Sequence, residues 1–365
     1  MSLFDCKPEE ELEVLLKFKD KAKTFSSCDE HIVKINFERK SETLSVYVKQ
    51  LVESHNLDAI QAMKEMLIGD PKLAAGLKPF VFERLVKILV ENDIEYSTKG
   101  SAACVLAFAD LESIKKKEAT EVLVNLMSHD CDTISIPVLR TLTRLAYKFA
   151  DYASFIIEKG ALEGALAVSQ SNSPSFKRIQ NLAKFLVVVV RQVNVLSQKA
   201  VGTVVTILDM ILEIRESNLR YIVRACDTLS HIAVKHWINK GNIYGNLIYF
   251  IRHRNDMVAY SALRAVGNIV KSRDSWKMCE ILTEDPNKFL RCLGRIEICC
   301  KPKKFQKEFC LLISNTAANI ADKGRSSVKD MNQAGLIDAL SKLLEVDEVD
   351  VKKEAAQAIC KVVRG

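Results

Sequence analysis

The stretch Ile222-Val223-Arg224-Ala225-Cys226-Asp227-Thr228-Leu229-Ser230-His231-Ile232-Ala233 decides the fold. Ile222, Ala225, Cys226, Leu229, Ile232 and Ala233 recur at i, i+3, i+4 and i+7 and form one apolar stripe, while Arg224, Asp227 and His231 fall off it. An α-helix that covers one side and wets the other requires this spacing. Ile136 to Ala146 repeats it: Ile136, Leu139, Leu142, Leu145 and Ala146 point one way, Arg140 and Arg144 the other.

Outward from this helix, similar segments recur along the chain. Those centred on Cys104, Arg140, Lys184, Asp227, Arg264, Leu311 and Gln357 can be superposed, with steps of 36, 44, 43, 37, 47 and 46 residues. A period near 40 residues, helical throughout, marks a solenoid of the armadillo or HEAT type. One repeat cannot cover its own apolar face, so neighbours stack and share a continuous core. The expected fold is all-α, a right-handed superhelical solenoid of armadillo repeats. About seven repeats are expected over residues 46–365, with one helix per repeat lining a long concave groove. Residues 1–45 read as a separate N-terminal segment, flexible or weakly helical. They carry Pro8, the acidic run Glu9, Glu10, Glu11 and Glu13, and the spaced Lys17, Lys19, Lys21 and Lys23.

Composition agrees with many helices and short loops. Of 365 residues, 48% are hydrophobic and 27% charged, and 13 Gly and 7 Pro leave little material for turn-rich β architectures. The net charge of +7 is mild for a nucleic-acid binder, which concentrates charge on one face. The basic run Lys301-Pro302-Lys303-Lys304 with Lys307 reads as a solvated loop. The 11 cysteines include no CxxC pair, and Cys104, Cys226, Cys310 and Cys360 sit in apolar helical patterns as small core residues. Free thiols of this kind imply a reducing compartment. The N-terminus has no secretory pattern, and the apolar run Phe185 to Val190 falls far short of the roughly 20 residues that span a bilayer. The expectation is a protein of cytoplasm and nucleus with no membrane contact.

A more specific pattern lies at Ser261-Ala262-Leu263-Arg264-Ala265-Val266-Gly267-Asn268-Ile269-Val270, which closely resembles the fifth repeat of the importin-α family of nuclear-import adaptors. Ile313-Ser314-Asn315 is similar to that family's sixth groove helix, and Asp347 to Ala358 to the start of its seventh. The likeness runs from about residue 48 to the end, strongest in the last third. The family's groove helices present a Trp and, four residues later, an Asn, and that spacing puts both on one face. The Trp rings sandwich Lys and Arg stems of a cargo signal, and the Asn amides clamp the peptide backbone.

Carried over residue by residue, the Trp positions hold Cys104, Arg140, Lys184, Asp227, Arg264, Leu311 and Gln357. Arg264 is ordinary for the fifth repeat, and the other six Trp are missing. The Asn positions hold Phe108, Arg144, Val188, His231, Asn268, Asn315 and Lys361, so Asn268 and Asn315 alone keep the amide. The resemblance therefore places a peptide site at Arg264, Asn268, Leu311 and Asn315. Trp237 and Trp276 lie off these positions.

At the N-terminus, Lys17, Lys19, Lys21 and Lys23 on one side and Arg39 and Lys40 on the other look like the flanks of the family's importin-β-binding arm. Its central arginine cluster is replaced by Cys28-Asp29-Glu30-His31. The chain stops after the seventh groove helix, short of the family's final repeats.

Three readings follow. The first is an importin-α-like adaptor that carries a cargo protein or peptide into the nucleus and engages importin-β. The second is a non-transport armadillo scaffold that has lost binding of basic nuclear localisation signals, with Arg140, Arg144 and Lys184 suited to an acidic ligand. The third, nucleic acid, is disfavoured by a groove without aromatic interleaving. Asp227 and His231 at i, i+4 are the nearest approach to a metal or acid–base pair, yet His236 points elsewhere and Cys226 belongs to the stripe. No phosphate loop, nucleophile elbow or catalytic carboxylate pair is present, so neither an enzyme nor a cofactor is expected.

Overall fold

The structure, a computed structural model, describes residues 27–53, 56–108, 117–171, 174–214, 219–236, 238, 241–271, 286–321 and 327–364. In chain order its helices are α1 (Ser27–Glu53), α2 (Asp58–Gly69), a 3-10 turn (Pro71–Gly76), α3 (Pro79–Val90), α4 (Tyr96–Leu106), α5 (Lys117–Leu126), α6 (Asp132–Lys148), α7 (Ala150–Glu158) and α8 (Ala161–Gln170). There follow α9 (Phe176–Gln192), α10 (Gln198–Glu213), α11 (Leu219–Lys235), α12 (Gly241–Ile251), α13 (Asp256–Lys271) and α14 (Pro286–Gly294). The last are a 3-10 turn (Ile298–Cys300), α15 (Lys303–Ala321), α16 (Ser327–Gln333), α17 (Leu336–Leu343) and α18 (Val349–Arg364). No strand occurs among the described residues.

The helices form two rows. In the inner row α4, α6, α9, α11, α13, α15 and α18 each lie along the next, and these are the most extensive helix–helix contacts of the molecule. In the outer row α3, α5, α8, α10 and α12 follow one another, and α14 packs on α17 at the far end. Between the rows runs one hydrophobic core from Leu44 to Val362. The predicted stripes supply it: Ile222, Ala225, Cys226, Leu229, Ile232 and Ala233 are all buried. So are Ile136, Leu139, Leu142, Leu145 and Ala146. Phe82, Phe185, Tyr221, Phe250, Phe305 and Phe309 are its largest fully buried members, each contributing roughly 1.5–3 kcal/mol by leaving water.

Long-range side-chain hydrogen bonds carry the repeat period. Ser101 reaches Gln61, Arg140 reaches Asn181, Asn246 reaches Asp209 and Asn268 reaches Ser230. Their sequence separations run from 37 for Asn246–Asp209 to 49 for Arg178–His129. Each thus joins a repeat to its immediate neighbour, as a one-dimensional stack requires.

Local chemistry sets the helix ends. Ser175 and Ser197 accept from Arg178 N and Ala200 N to open α9 and α10. Asn255 Oδ1 accepts from Met257 N at 3.1 Å to open α13. Gly160 and Gly335 precede α8 and α17 with φ of 90° and 76°, the left-handed region where a Cβ is costly. These two glycines mark the same corner in different repeats, and Lys159-Gly160-Ala161-Leu162 beside Ala334-Gly335-Leu336-Ile337 was the legible signal for it.

Some expectations change. Helix α1 runs straight through residue 45, set above as the edge of the solenoid, because Leu44 and Leu51, two turns apart, seat it in the core. Cys226 and Cys310 are buried and Cys104 half-buried, but Cys360 is exposed on α18. The basic run near residue 301 is no solvated loop. Lys303 and Lys304 open α15, Lys301 pairs with Asp256 at 2.8 Å, Lys307 with Asp350 at 2.6 Å, and Lys303 with Glu348. These residues tie α15 to the groove helices on either side.

Candidate peptide-binding groove

The inner row brings the superposed positions to one face. Arg140, Arg264, Leu311 and Gln357 are exposed, and Cys104, Lys184 and Asp227 half-buried. Four residues on, Arg144, Val188, His231, Asn268 and Asn315 are half-buried and Lys361 is exposed. From Arg140 to Asn315 each is flanked by buried neighbours, such as Ala225, Cys226, Thr228 and Leu229 around Asp227, whereas Gln357 and Lys361 each have a buried neighbour on one side only. Phe108 departs from this pattern. It lies in the turn after α4 and packs against the core. Val188 likewise packs on the core.

Several groove side chains are held by a neighbouring repeat. Arg140 Nε donates to Asn181 Oδ1 at 3.2 Å, and Asn181 Nδ2 donates to Lys177 O at 2.7 Å. Arg144 donates to the carbonyl of Ala107. Asn268 Nδ2 donates to Ser230 Oγ at 2.8 Å and to Ser230 O at 3.1 Å. Asn268 therefore acts as a strut between α11 and α13, a role the sequence comparison did not foresee. Leu311 is an apolar side chain left 42% exposed.

The electrostatic centre of the face is Asp227. Burial pushes its carboxyl above the ordinary value, while Arg191, Arg264, a hydrogen bond from Ser261 and Arg224 pull it back. His231, one turn on, is pushed down by burial and then by Lys235, Arg191 and Arg264, so it is neutral near pH 7. Its Nε2 is buried and has no hydrogen-bond partner among the described residues. On α15, burial raises the Glu308 carboxyl against the pull of Arg264 and Lys271. Burial also raises the thiols of Cys104 and Cys310, the latter to about 12, which keeps them protonated and unreactive. No group of three or more His, Cys, Asp and Glu side chains is placed to share a metal ion among the described residues.

At the N-terminus, Arg39 and Lys40 stand exposed on α1, and Lys40 lies 3.8 Å from Asp70. Lys17, Lys19, Lys21 and Lys23 lie outside the described residues, as do Trp237 and Trp276. No described helix is long and apolar enough to cross a membrane.

No protein-family model matches the chain, and no curated protein matches it. Solved structures do. One, of the interaction between cadherin and β-catenin, superposes with a TM-score of 0.65 at 15% identity, over 87% of this chain and 60% of that one. A computationally designed armadillo repeat protein for modular peptide recognition gives 0.53 at 17%, over 66% and 99%. An engineered protein gives 0.55 at 16%, over 90% and 95%. Identities this low carry the fold alone: the chain is a right-handed superhelical solenoid of armadillo repeats.

Proposed function

We propose that the protein is a binding scaffold, not an enzyme, which holds an extended segment of a partner protein along the inner helices. We further propose that it serves as an adaptor of the importin-α kind, moving between cytoplasm and nucleus. The observation that carries the reading is the shared face. Thirteen of the fourteen positions matched to that family's Trp and Asn pairs lie half- or fully exposed on one row of helices, Phe108 in its turn being the exception. A repeat array of this kind presents a long continuous surface, which suits an extended chain. Two of the structures it resembles bear on peptide recognition and on the cadherin–β-catenin interaction.

A peptide-display selection against the purified full chain tests the binding role. Enriched peptides should lose binding on Gln357→Glu with Arg264→Glu and keep it on Glu163→Arg of the outer helix α8. Enrichment indifferent to both changes would remove the groove from the reading. Gel filtration with purified importin-β tests the adaptor role, since a co-eluting complex is required of an import adaptor. A second reading, the non-transport scaffold, is favoured by Arg140, Arg144 and Lys184, which stand where the family's members read a lysine-rich signal. It predicts separate elution.

A further inference from the structure

We infer that the segment held in this groove is acidic, and that its carboxylates settle between α6 and α13; this rests on the inner row being the binding face. The net charge of the chain is modest, but its distribution is not. Helix α6 carries three basic residues, α9 four, α11 three and α13 two, twelve in all, against Asp132, Asp227 and Asp256. Asp256 is already paired with Lys301. Arg178 is buried on His129 O, and the remaining eleven cations are exposed or half-buried. The outer helices α5, α8, α10 and α12 of the same repeats lean the other way, with Lys117 and Lys199 against Glu118, Glu121, Glu163, Asp209 and Glu213. One side of the sheet of helices is thus cationic while the other is slightly anionic, and the total hides the difference.

The cations are also in line. Arg140 and Arg144 on α6, Lys184 and Arg191 on α9, and Arg264 and Lys271 on α13 are spaced by four or seven residues within each helix, which keeps each pair on one face. Stacking α6, α9, α11 and α13 side by side sets these pairs in succession along the groove. Asp227 shows what a carboxylate meets there: Arg191 from α9, Arg224 from α11 and Arg264 from α13 all act on it. Arg140 is held by its Nε on Asn181, so its guanidinium is placed before a ligand arrives.

A protein segment fits this row better than a nucleic acid. Among the inner positions from Arg140 to Asn268 the single ring is that of the half-buried His231, so successive bases would meet no row of aromatic faces. They run on instead to Leu311 and Asn315, an apolar and an amide group suited to a peptide. Complementary charge along such a surface sets the choice of partner and the rate of encounter.

Fluorescence anisotropy on the full chain tests this with four labelled probes of twelve units: an alternating Glu-Ser peptide, its Lys-Ser counterpart, a Gly-Ser peptide, and a single-stranded oligonucleotide. The Glu-Ser peptide should bind at least tenfold tighter than the Gly-Ser peptide, and more weakly as salt rises. The triple change Arg140→Ala, Lys184→Ala, Arg264→Ala should weaken it at least tenfold. Asp227→Asn, which removes the resident counter-charge, should strengthen it severalfold, so a loss caused by misfolding is told apart from a loss of charge. Lys199→Ala on the outer side should change nothing. Equal binding of the Glu-Ser and Lys-Ser peptides, or an oligonucleotide bound tighter than the Glu-Ser peptide in physiological salt, overturns the inference. Binding of the Lys-Ser or Gly-Ser peptide that the triple change alters would leave the groove reading standing while the acidic partner falls. Failure of all four probes would remove both.

Discussion

The groove faces of α6, α9 and α11 and of α13, α15 and α18 share one backbone plan and present different chemistry. The first offers Arg140, Arg144, Lys184, Val188, Asp227 and His231, a charged surface with an internal acid. The second offers Asn268, Leu311, Asn315 and Gln357 between Arg264 and Lys361, a surface of amides and one exposed apolar side chain. Their edges differ as well. The second is stitched by Lys301–Asp256, Lys303–Glu348 and Lys307–Asp350, whereas the first relies on Arg140–Asn181 and the buried Arg178. The shape of an armadillo stack comes from the buried stripe, which the two halves have in common. The two groove-facing positions of each helix, by contrast, carry different residues in the two halves.

If the core is common, equal wounds should cost the same in both halves. Phe185→Ala in α9 and Phe309→Ala in α15 each empty a fully buried site and should each cost about 3–5 kcal/mol in denaturant titration. A loss in α15 of under half that in α9 would show that the halves are not packed alike. The next effect is on ligand choice. A lysine-rich signal peptide, titrated against this chain and against an importin-α in parallel, should bind here roughly a hundredfold more weakly, about 3 kcal/mol. Missing cation–π and amide contacts together lose that much even at their low ends. Comparable affinities would mean that the cationic half reads basic ligands by another route.

Smaller effects sharpen the contrast. Asn268→Ala removes the bonds to Ser230 and should lower stability by about 0.5–1.5 kcal/mol. Asn315→Ala, with no such strut among the described residues, should lower it less, and the reverse order in thermal melts would remove the strut. Lys307→Ala should produce a slight loss in low salt that vanishes in high salt, because the pair with Asp350 is solvent-screened. The smallest change concerns pH. Since burial and Lys235, Arg191 and Arg264 hold His231 below its ordinary value, the folded state prefers the neutral ring. Its contribution to stability is whole above the unfolded value near pH 6.5 and is lost as pH falls through the lower folded value. His231→Gln should flatten stability over that interval, and an unchanged profile would place the sensitivity elsewhere.

The sequence disclosed what depends on near neighbours and concealed what depends on the next repeat. The stripe from Ile222 to Ala233 and the period near 40 residues specify the stack, because burial follows helical spacing. The same spacing puts Arg264 and Asn268, and Leu311 and Asn315, on one face. Phe108 broke the pattern because α4 ends at Leu106, two residues before it. Asn268 looked like a free clamp because Ser230 is 38 residues away. Lys301 and Lys307 looked solvated because Asp256 and Asp350 lie 45 and 43 residues off. The cationic row was invisible in a net charge of +7, since only folding separates α9 from α10.

The bonds that join each repeat to the next alone have a mechanical consequence. A β-sandwich resists pulling through strands from distant parts of the chain that must shear together. Here no long-range side-chain hydrogen bond spans more than one repeat among the described residues, so nothing comparable to a latch joins distant repeats there. Stretched from its ends in an optical trap, it should lengthen first as a soft spring while the helices tilt, then give way one repeat at a time at low, similar forces. A partner lying along the groove crosses several of these joints at once, and its bound form should stiffen the spring and raise the first yielding force.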